Sequence, residues 1–187
     1  MDAWEELKKA CSNCRNCGLA EGRTKLVFGV GNENADLMFI GEGPGEQEDL
    51  RGEPFVGPAG KLLDTMLEII HLRRDEVYIA NIIKCRPPRN RDPLPDEQHT
   101  CAPWLDRQIS LIQPKIIVFL GRISASYYLG DDFRITRDHG KWYDWRGIRS
   151  TALYHPSALL RDPSRRPETF VDLKSIEREL NLIRGSI

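Results

Sequence analysis

Apolar positions along the chain recur in two ways. Leu37-Met38-Phe39-Ile40 and Ile116-Ile117-Val118-Phe119-Leu120 are unbroken runs, each stopped by a glycine (Gly41 and Gly121), and they predict strands buried on both faces. Val77 to Ile79 predicts another strand ending at Asn81, and a further one leads to Tyr154 and His155. Elsewhere the spacing is helical. Leu62, Leu63, Met66, Leu67 and Ile70 share one face of a helix beginning at Pro58. Residues 3–10 predict a short helix, Asp96 predicts the cap of a helix running to about Gln113, and Gly121 precedes a helix to about Leu129. Trp142 to Ile148 predicts a hairpin and residues 168–184 a closing helix.

Strands that alternate with helices predict an α/β fold, a three-layer sandwich with a mostly parallel central sheet flanked by helices. In such sheets ligands bind at the carboxyl ends of the strands. The Gly41–Gly45 turn, Asn81 and His155 each follow a predicted strand, so they are expected to converge on one edge. No repeat or linker divides the chain, which predicts a single domain over residues 1–187.

Composition adds little to this picture. The chain is 40% hydrophobic and 29% charged with net charge −1, so it does not advertise nucleic acid through overall charge. Local clusters do exist: Arg86, Arg89 and Arg91 in one loop, Arg161, Arg165 and Arg166 in another. They suit phosphate contacts as well as they suit solvated loops. No run approaches the ~18–20 apolar residues of a membrane span, and the first residues lack the pattern of a secretory signal. The five cysteines are an odd number, which fits a disulfide framework poorly. The expectation is a cytoplasmic monomer with no membrane partner and with cysteines free to bind metal.

Cys11, Cys14 and Cys17 are spaced C-x2-C-x2-C, with Cys85 and Cys101 far downstream. Two adjacent members of the first group plus the distant pair make a four-thiolate site, which zinc and a [4Fe–4S] cluster both accept. The glycine-rich segment GEGPGEQED at 41–49 is neither a dinucleotide fingerprint nor a P-loop, and Glu42, Glu46, Glu48 and Asp49 would repel a phosphate there. Carboxylates in such a turn suit the positioning of water or a polar ligand. Phe55, between turn residues, could stack on a flat ligand, although burial in a core is the commoner fate of an aromatic. The amide of Asn81 complements the Watson–Crick edge of uracil, N–H to O4 and carbonyl to N3–H, whereas cytosine presents the opposite pattern. Capping a turn is its bland alternative. His155, in the His-Pro-Ser turn, could donate to an oxygen gaining negative charge, and Leu159 or Leu160 could wedge into a base stack.

Together these motifs resemble those of family 4 uracil-DNA glycosylases, the iron–sulfur class of that superfamily. The resemblance is carried by Cys14-x2-Cys17, Glu21-Gly22-Arg23-Thr24, GEGPGEQED, GEPFVGPAGKLLD, Asn81 with Lys84-Cys85-Arg86-Pro87-Pro88, Cys101, and HPSALLR at 155–161, spread over nearly the whole chain. It implies that Cys14, Cys17, Cys85 and Cys101 hold a [4Fe–4S] cluster of structural purpose, leaving Cys11 surplus. It implies a uracil pocket in which Gly41, Gly43 and Glu42 line the water-bearing side and Phe55 stacks on the base. Asn81 would read the base edge, His155 would face O2, and Glu48 would fill the space beside C5. A neighbouring class marked by a Lys-Arg-Arg-Ile-His insertion is disfavoured by Cys85-Arg86-Pro87-Pro88, and one lacking an acidic residue in the first motif is disfavoured by Glu42.

The implied reaction is hydrolysis of the N-glycosidic bond of uracil in DNA, single-stranded or in a U·G duplex, after flipping the base from the stack. Leu159 or Leu160 would fill the vacated stack, while Arg161 and Arg86 would hold the backbone. Uracil-containing DNA is then the partner, with a sliding clamp as a further candidate. The alternatives are a metal-stapled nucleic-acid-binding module without catalysis and, more remotely, a redox carrier.

Overall fold

The computed structural model describes residues 2–185. Its helices are α1 (Ala3–Ser12), α2 (Leu19–Gly22), α3 (Glu46–Arg51), α4 (Pro58–Ile69), α5 (Pro95–Ile112), α6 (Arg122–Leu129), α7 (Ile135–Asp138), α8 (Pro156–Arg161) and α9 (Arg166–Arg184). Its strands are β1 (Val30–Gly31), β2 (Leu37–Gly41), β3 (Tyr78–Asn81), β4 (Ile116–Leu120), β5 (Tyr143–Trp145) and β6 (Ile148–Leu153). They form one sheet in the order β1-β3-β2-β4-β6-β5. The inner four strands run parallel, and the short edge strands β1 and β5 are antiparallel to their neighbours.

Two-residue periodicity splits the side chains of each inner strand between two cores. Met38, Ile40, Tyr78, Ala80, Ile117 and Phe119 face a core with Trp4 and Leu7 of α1 and Leu105 and Ile109 of α5. Leu37, Phe39, Ile79, Ile116, Val118 and Leu120 face the other, with Leu63, Met66 and Leu67 of α4 and Leu173, Ile176 and Leu180 of α9. This is the three-layer α/β sandwich that the apolar runs predict. Burial of both faces is why those runs show no polar alternation.

The helix before β4 starts differently from expectation. Its cap is Leu94, whose N–H donates to Glu97 Oε2 at 2.8 Å, and Pro95 occupies the first turn, so Asp96 lies inside the helix. A proline there lacks only an N–H that the helix leaves unpaired in any case. The predicted hairpin is closed by Arg146 (φ 52°) and Gly147 (φ 81°), the positive pair that a two-residue turn between twisted strands requires. GEGPGEQED is half turn and half helix, because α3 begins at Glu46. HPSALLR likewise becomes the cap and body of α8, with His155 as the capping residue.

Candidate active site at the carboxyl edge of the sheet

A cavity of about 430 Å³ opens at the carboxyl ends of the parallel strands, and Glu42, Gly43, Glu48, Phe55, Asn81 and His155 all line it. The topology brings them there: β2, β3 and β6 end side by side with β4, and each delivers its next residues to the same rim.

Asn81 ends β3 directly opposite Gly41 of β2. It is 2% exposed, and its Oδ1 has no hydrogen-bond partner among the described residues. An unpaired acceptor in that position is costly unless a ligand or water completes it. Gly41 is tied to it sterically, since a Cβ there would stand 2.5 Å from Asn81 Oδ1 and 2.7 Å from Phe55 Cζ. Phe55 holds a left-handed backbone (φ 54°), a conformation an aromatic residue adopts only when its surroundings impose it. Arg74 imposes it by donating to the carbonyls of Phe55 (2.9 Å) and Pro54 (2.7 Å). The close approach of Gly60, where a Cβ would stand 1.8 Å from Phe55 O, does the rest.

The Phe55 and His155 rings stack with centroids 5.5 Å apart and 29° between planes. A flat ring stacks ~3.4 Å from each neighbour, so none fits between these two rings. His155 Nδ1 accepts the Ser157 backbone N–H at 3.1 Å and lies 2.6 Å from the Ser157 hydroxyl. Burial, then nearby Arg161, pushes the ring pKa down to about 4. The imidazole is therefore neutral near pH 7, with Nδ1 as acceptor and the proton on Nε2. Gly121 (φ 91°) sits beneath it, where a Cβ would come within 2.9 Å of the His155 Cβ.

The two carboxylates of the first motif play unlike parts. Glu42 is raised to about 7, first by burial and then by Asp92, with Arg122 and Arg161 opposing. Glu48 is fully engaged: Oε2 accepts Gly45 N (3.1 Å), and Oε1 accepts Val56 N (3.1 Å) and Gly57 N (3.2 Å). It clamps the glycine-rich turn to the segment carrying Phe55. Asp49 does the same for another loop, accepting the N–H of Thr24 at 2.8 Å.

Of the two candidate wedge residues, Leu159 is corrected. It is 1% exposed and packs in the core with Leu63 and Leu173, whereas Leu160 is 41% exposed. Helical geometry puts neighbours about 100° apart, so α8 can bury only one of them. Arg161 lines the cavity and forms no ion pair among the described residues. Arg86 stands outside the cavity wall and donates to Asn90 Oδ1 at 2.7 Å. Arg91, which the sequence places in a candidate phosphate-contacting cluster, also lines the cavity, as do Asp92, Gly121 and Arg122, none of which stood out in the sequence as a site residue.

The cysteines assemble where α1, the Lys84–Pro87 loop and α5 meet. Burial raises the pKa of Cys85 against the pull of Arg23, with nearby Cys17 and Cys14 adding to the rise, and burial takes Cys101 to about 12, with Cys85 and Cys17 adding. Three of the sulfurs accept hydrogen bonds: Cys14 from Trp104 Nε1 (3.3 Å), Cys85 from Arg23 Nη1 (3.3 Å) and Cys101 from Lys84 N (3.2 Å). Arg23 also donates to Cys14 O at 2.7 Å, which gives the Arg23-Thr24 segment a structural task. These donors suit thiolates, whose negative charge they stabilise. Cys11 is fully buried in the core and is likewise raised to about 12 by burial. Among the described residues no group of three or more His, Cys, Asp or Glu side chains is disposed to hold a single metal ion.

A mostly parallel α/β sheet thus gathers an aromatic ring, an amide with an unpaired oxygen and a neutral imidazole at the mouth of one cavity, an arrangement suited to a flat, polar ligand. The sequence profile of the Uracil DNA glycosylase superfamily matches residues 28–178. The chain is 45% identical to a Type-4 uracil-DNA glycosylase of Archaeoglobus fulgidus, covering 94% of this chain and 92% of that protein. It is 48% identical to one of Sulfurisphaera tokodaii (96% and 86%) and 42% identical to one of Thermotoga maritima (96% and 94%). The chain belongs to the Type-4 uracil-DNA glycosylase family.

Proposed function

We propose that this chain hydrolyses the N-glycosidic bond of uracil in DNA, releasing the free base and leaving an abasic site. The observation that carries the reading is the orphaned Oδ1 of Asn81, buried at the cavity wall beside the ring of Phe55. Uracil N3–H supplies the missing donor and the Asn81 amide N–H meets O4. Cytosine offers an acceptor at that point and would leave the buried oxygen unpaired, a cost of ~1–3 kcal/mol.

The base reaches the cavity by leaving the stack, as its glycosidic bond is shielded in a duplex. Leu160 is the exposed apolar side chain that fills the gap, and Arg161 holds phosphate at the rim. His155, neutral, donates Nε2–H to uracil O2 as negative charge develops on the leaving base. A positioned donor of this kind contributes ~3–4 kcal/mol to the transition state. Glu42 orients the attacking water, in its ionised form accepting a hydrogen bond from it.

Cys14, Cys17, Cys85 and Cys101 would hold a [4Fe–4S] cluster. Trp104, Arg23 and the Lys84 backbone N–H already donate to three of these sulfurs, the kind of support that ligating thiolates need. When bound, the cluster supplies a cross-link between the N-terminal segment and the loop and helix that carry Cys85 and Cys101, and no step of the reaction needs its electrons.

The test is incubation with labelled uracil-containing single strands and U·G duplexes, scoring free uracil and alkali-sensitive breaks. Release of uracil together with breaks at its position is expected. Intact DNA, from protein with its cysteines fully loaded, would overturn the reading.

A further inference from the structure

Asp92 and Arg122 reach each other from separate elements, the loop after Cys85 and the first turn of α6, and both line the mouth of the cavity. Arg122 Nη2 lies 2.5 Å from Asp92 Oδ2, yet the two side chains are 61% and 57% exposed. Exposed ion pairs contribute little to stability, so this one is not needed to hold the fold.

The other arginines of the cavity wall differ. Arg91 is locked by two bonds to Glu97, at 2.7 and 2.9 Å, and its carboxylate partner is mostly buried. Arg161 forms no ion pair among the described residues. Arg122 stands between these cases: its guanidinium is occupied, but by a weakly held, water-exposed carboxylate at the place where a strand must lie if its base is to enter. The geometry of an arginine fork suits a phosphate as well as a carboxylate.

We propose that Arg122 is a DNA-phosphate ligand held in reserve by Asp92: when a strand enters, Arg122 passes from the carboxylate to a phosphate beside the flipped nucleotide. Asp92 makes this contact selective. An isolated anion must displace a carboxylate already in place, whereas a strand brings several phosphates and a base whose insertion offsets the displacement. Without that carboxylate, Arg122 would attract any nucleic acid backbone. The proposal rests on the glycosylase reading of the cavity.

The experiment measures binding of the cluster-loaded protein to a single strand carrying a non-hydrolysable uracil nucleotide, over a range of salt, for wild type, Arg122→Gln, Asp92→Asn and the double variant. Excision of ordinary uracil by the wild type is scored in parallel, and melting verifies that each variant folds. Losing one phosphate contact lowers the slope of log K against log salt by ~0.7 for a single strand. That drop is expected for Arg122→Gln. Asp92→Asn is expected to tighten binding, most of all to uracil-free strands, and Arg122→Gln is expected to cost more affinity in the Asp92→Asn background than in wild type. An unchanged slope, or no cost of Arg122→Gln once Asp92 is neutralised, would overturn the proposal. If the wild type excises uracil while the slope is unmoved, the exchange alone falls. If it excises nothing, the glycosylase reading falls with it.

Discussion

Ser157 donates its backbone N–H to Nδ1 of His155 at 3.1 Å, and that bond decides which ring nitrogen carries the proton. A backbone N–H can only donate, so Nδ1 presents its lone pair and the proton of the neutral ring sits on Nε2. Capping α8 and leaving Nε2–H as the ring's donor are thus one interaction. His155→Ala is expected to lower kcat by ~10²–10³-fold with little change in KM, as removal of a single transition-state donor does. Steady-state kinetics on a uracil-containing single strand reads this directly.

Acid should weaken the fold through the same residue. The His155 pKa falls from 6.5 to about 4 on folding, so between those values the unfolded chain takes up a proton that the folded chain refuses. This contribution to stability is complete above pH ~6.5 and is lost as pH falls through about 4. Thermal melts from pH 7 to 4 should show a steeper decline for wild type than for His155→Gln.

Glu42 works in the opposite sense. Its pKa rises from 4.5 to about 7, so its contribution to stability is present below pH 4.5 and is lost as pH rises through about 7. Glu42→Gln should therefore raise the melting temperature more at pH 8 than at pH 5. If the ionised carboxylate orients water, the wild-type excision rate also climbs through about pH 7, and Glu42→Gln removes that limb of the profile.

Much of this architecture was legible in the chain. Unbroken apolar runs ending at Gly41, Asn81 and Gly121 marked parallel strands, because burial on both faces leaves no polar alternation. The placing of candidate residues just after strands then implied one shared edge. The roles of Glu48 and Leu159 were not legible. Spacing shows that Glu48 lies near the turn but not that three backbone N–H groups occupy its oxygens. Nor does a Leu-Leu pair say which member faces the core until the phase of α8 is known. Arg122 and Asp92 meet across 30 residues of chain, a pairing without local signature.

Glu48 gives a prediction that separates clamping from methyl exclusion. Glu48→Ala leaves three N–H groups without their acceptor, and hydrogen bonds to a charged group contribute ~1.5–3 kcal/mol each before solvent replaces them. The variant should melt lower and excise uracil more slowly as the Phe55 segment loosens, without acquiring activity on thymine. Efficient thymine release would instead show that the carboxylate guards the C5 position.

The two leucines of α8 should part company. Leu159→Ala is expected to destabilise the fold by ~2–5 kcal/mol, as truncation of a buried leucine does. Leu160→Ala should leave stability within ~0.5 kcal/mol of wild type while slowing excision from duplex more than from single strands. Denaturant melts and a comparison of the two substrates measure both effects.

The cysteines are separable in the same way. If Cys14, Cys17, Cys85 and Cys101 hold the proposed cluster, replacing any one by alanine should abolish brown colour and lower the melting temperature. Cys11→Ala should keep the colour, at the stability cost of altering a buried core side chain.

If Asn81 and His155 read and release uracil from the cavity at the sheet edge, removing both must end excision. Single-turnover excision by wild type and by the Asn81→Ala, His155→Ala double variant, on one labelled uracil-containing strand, tests it most directly. Rapid formation of alkali-sensitive product is expected from wild type, and none above background from a double variant that melts and absorbs like wild type. Excision by that folded variant at a rate close to wild type would contradict it.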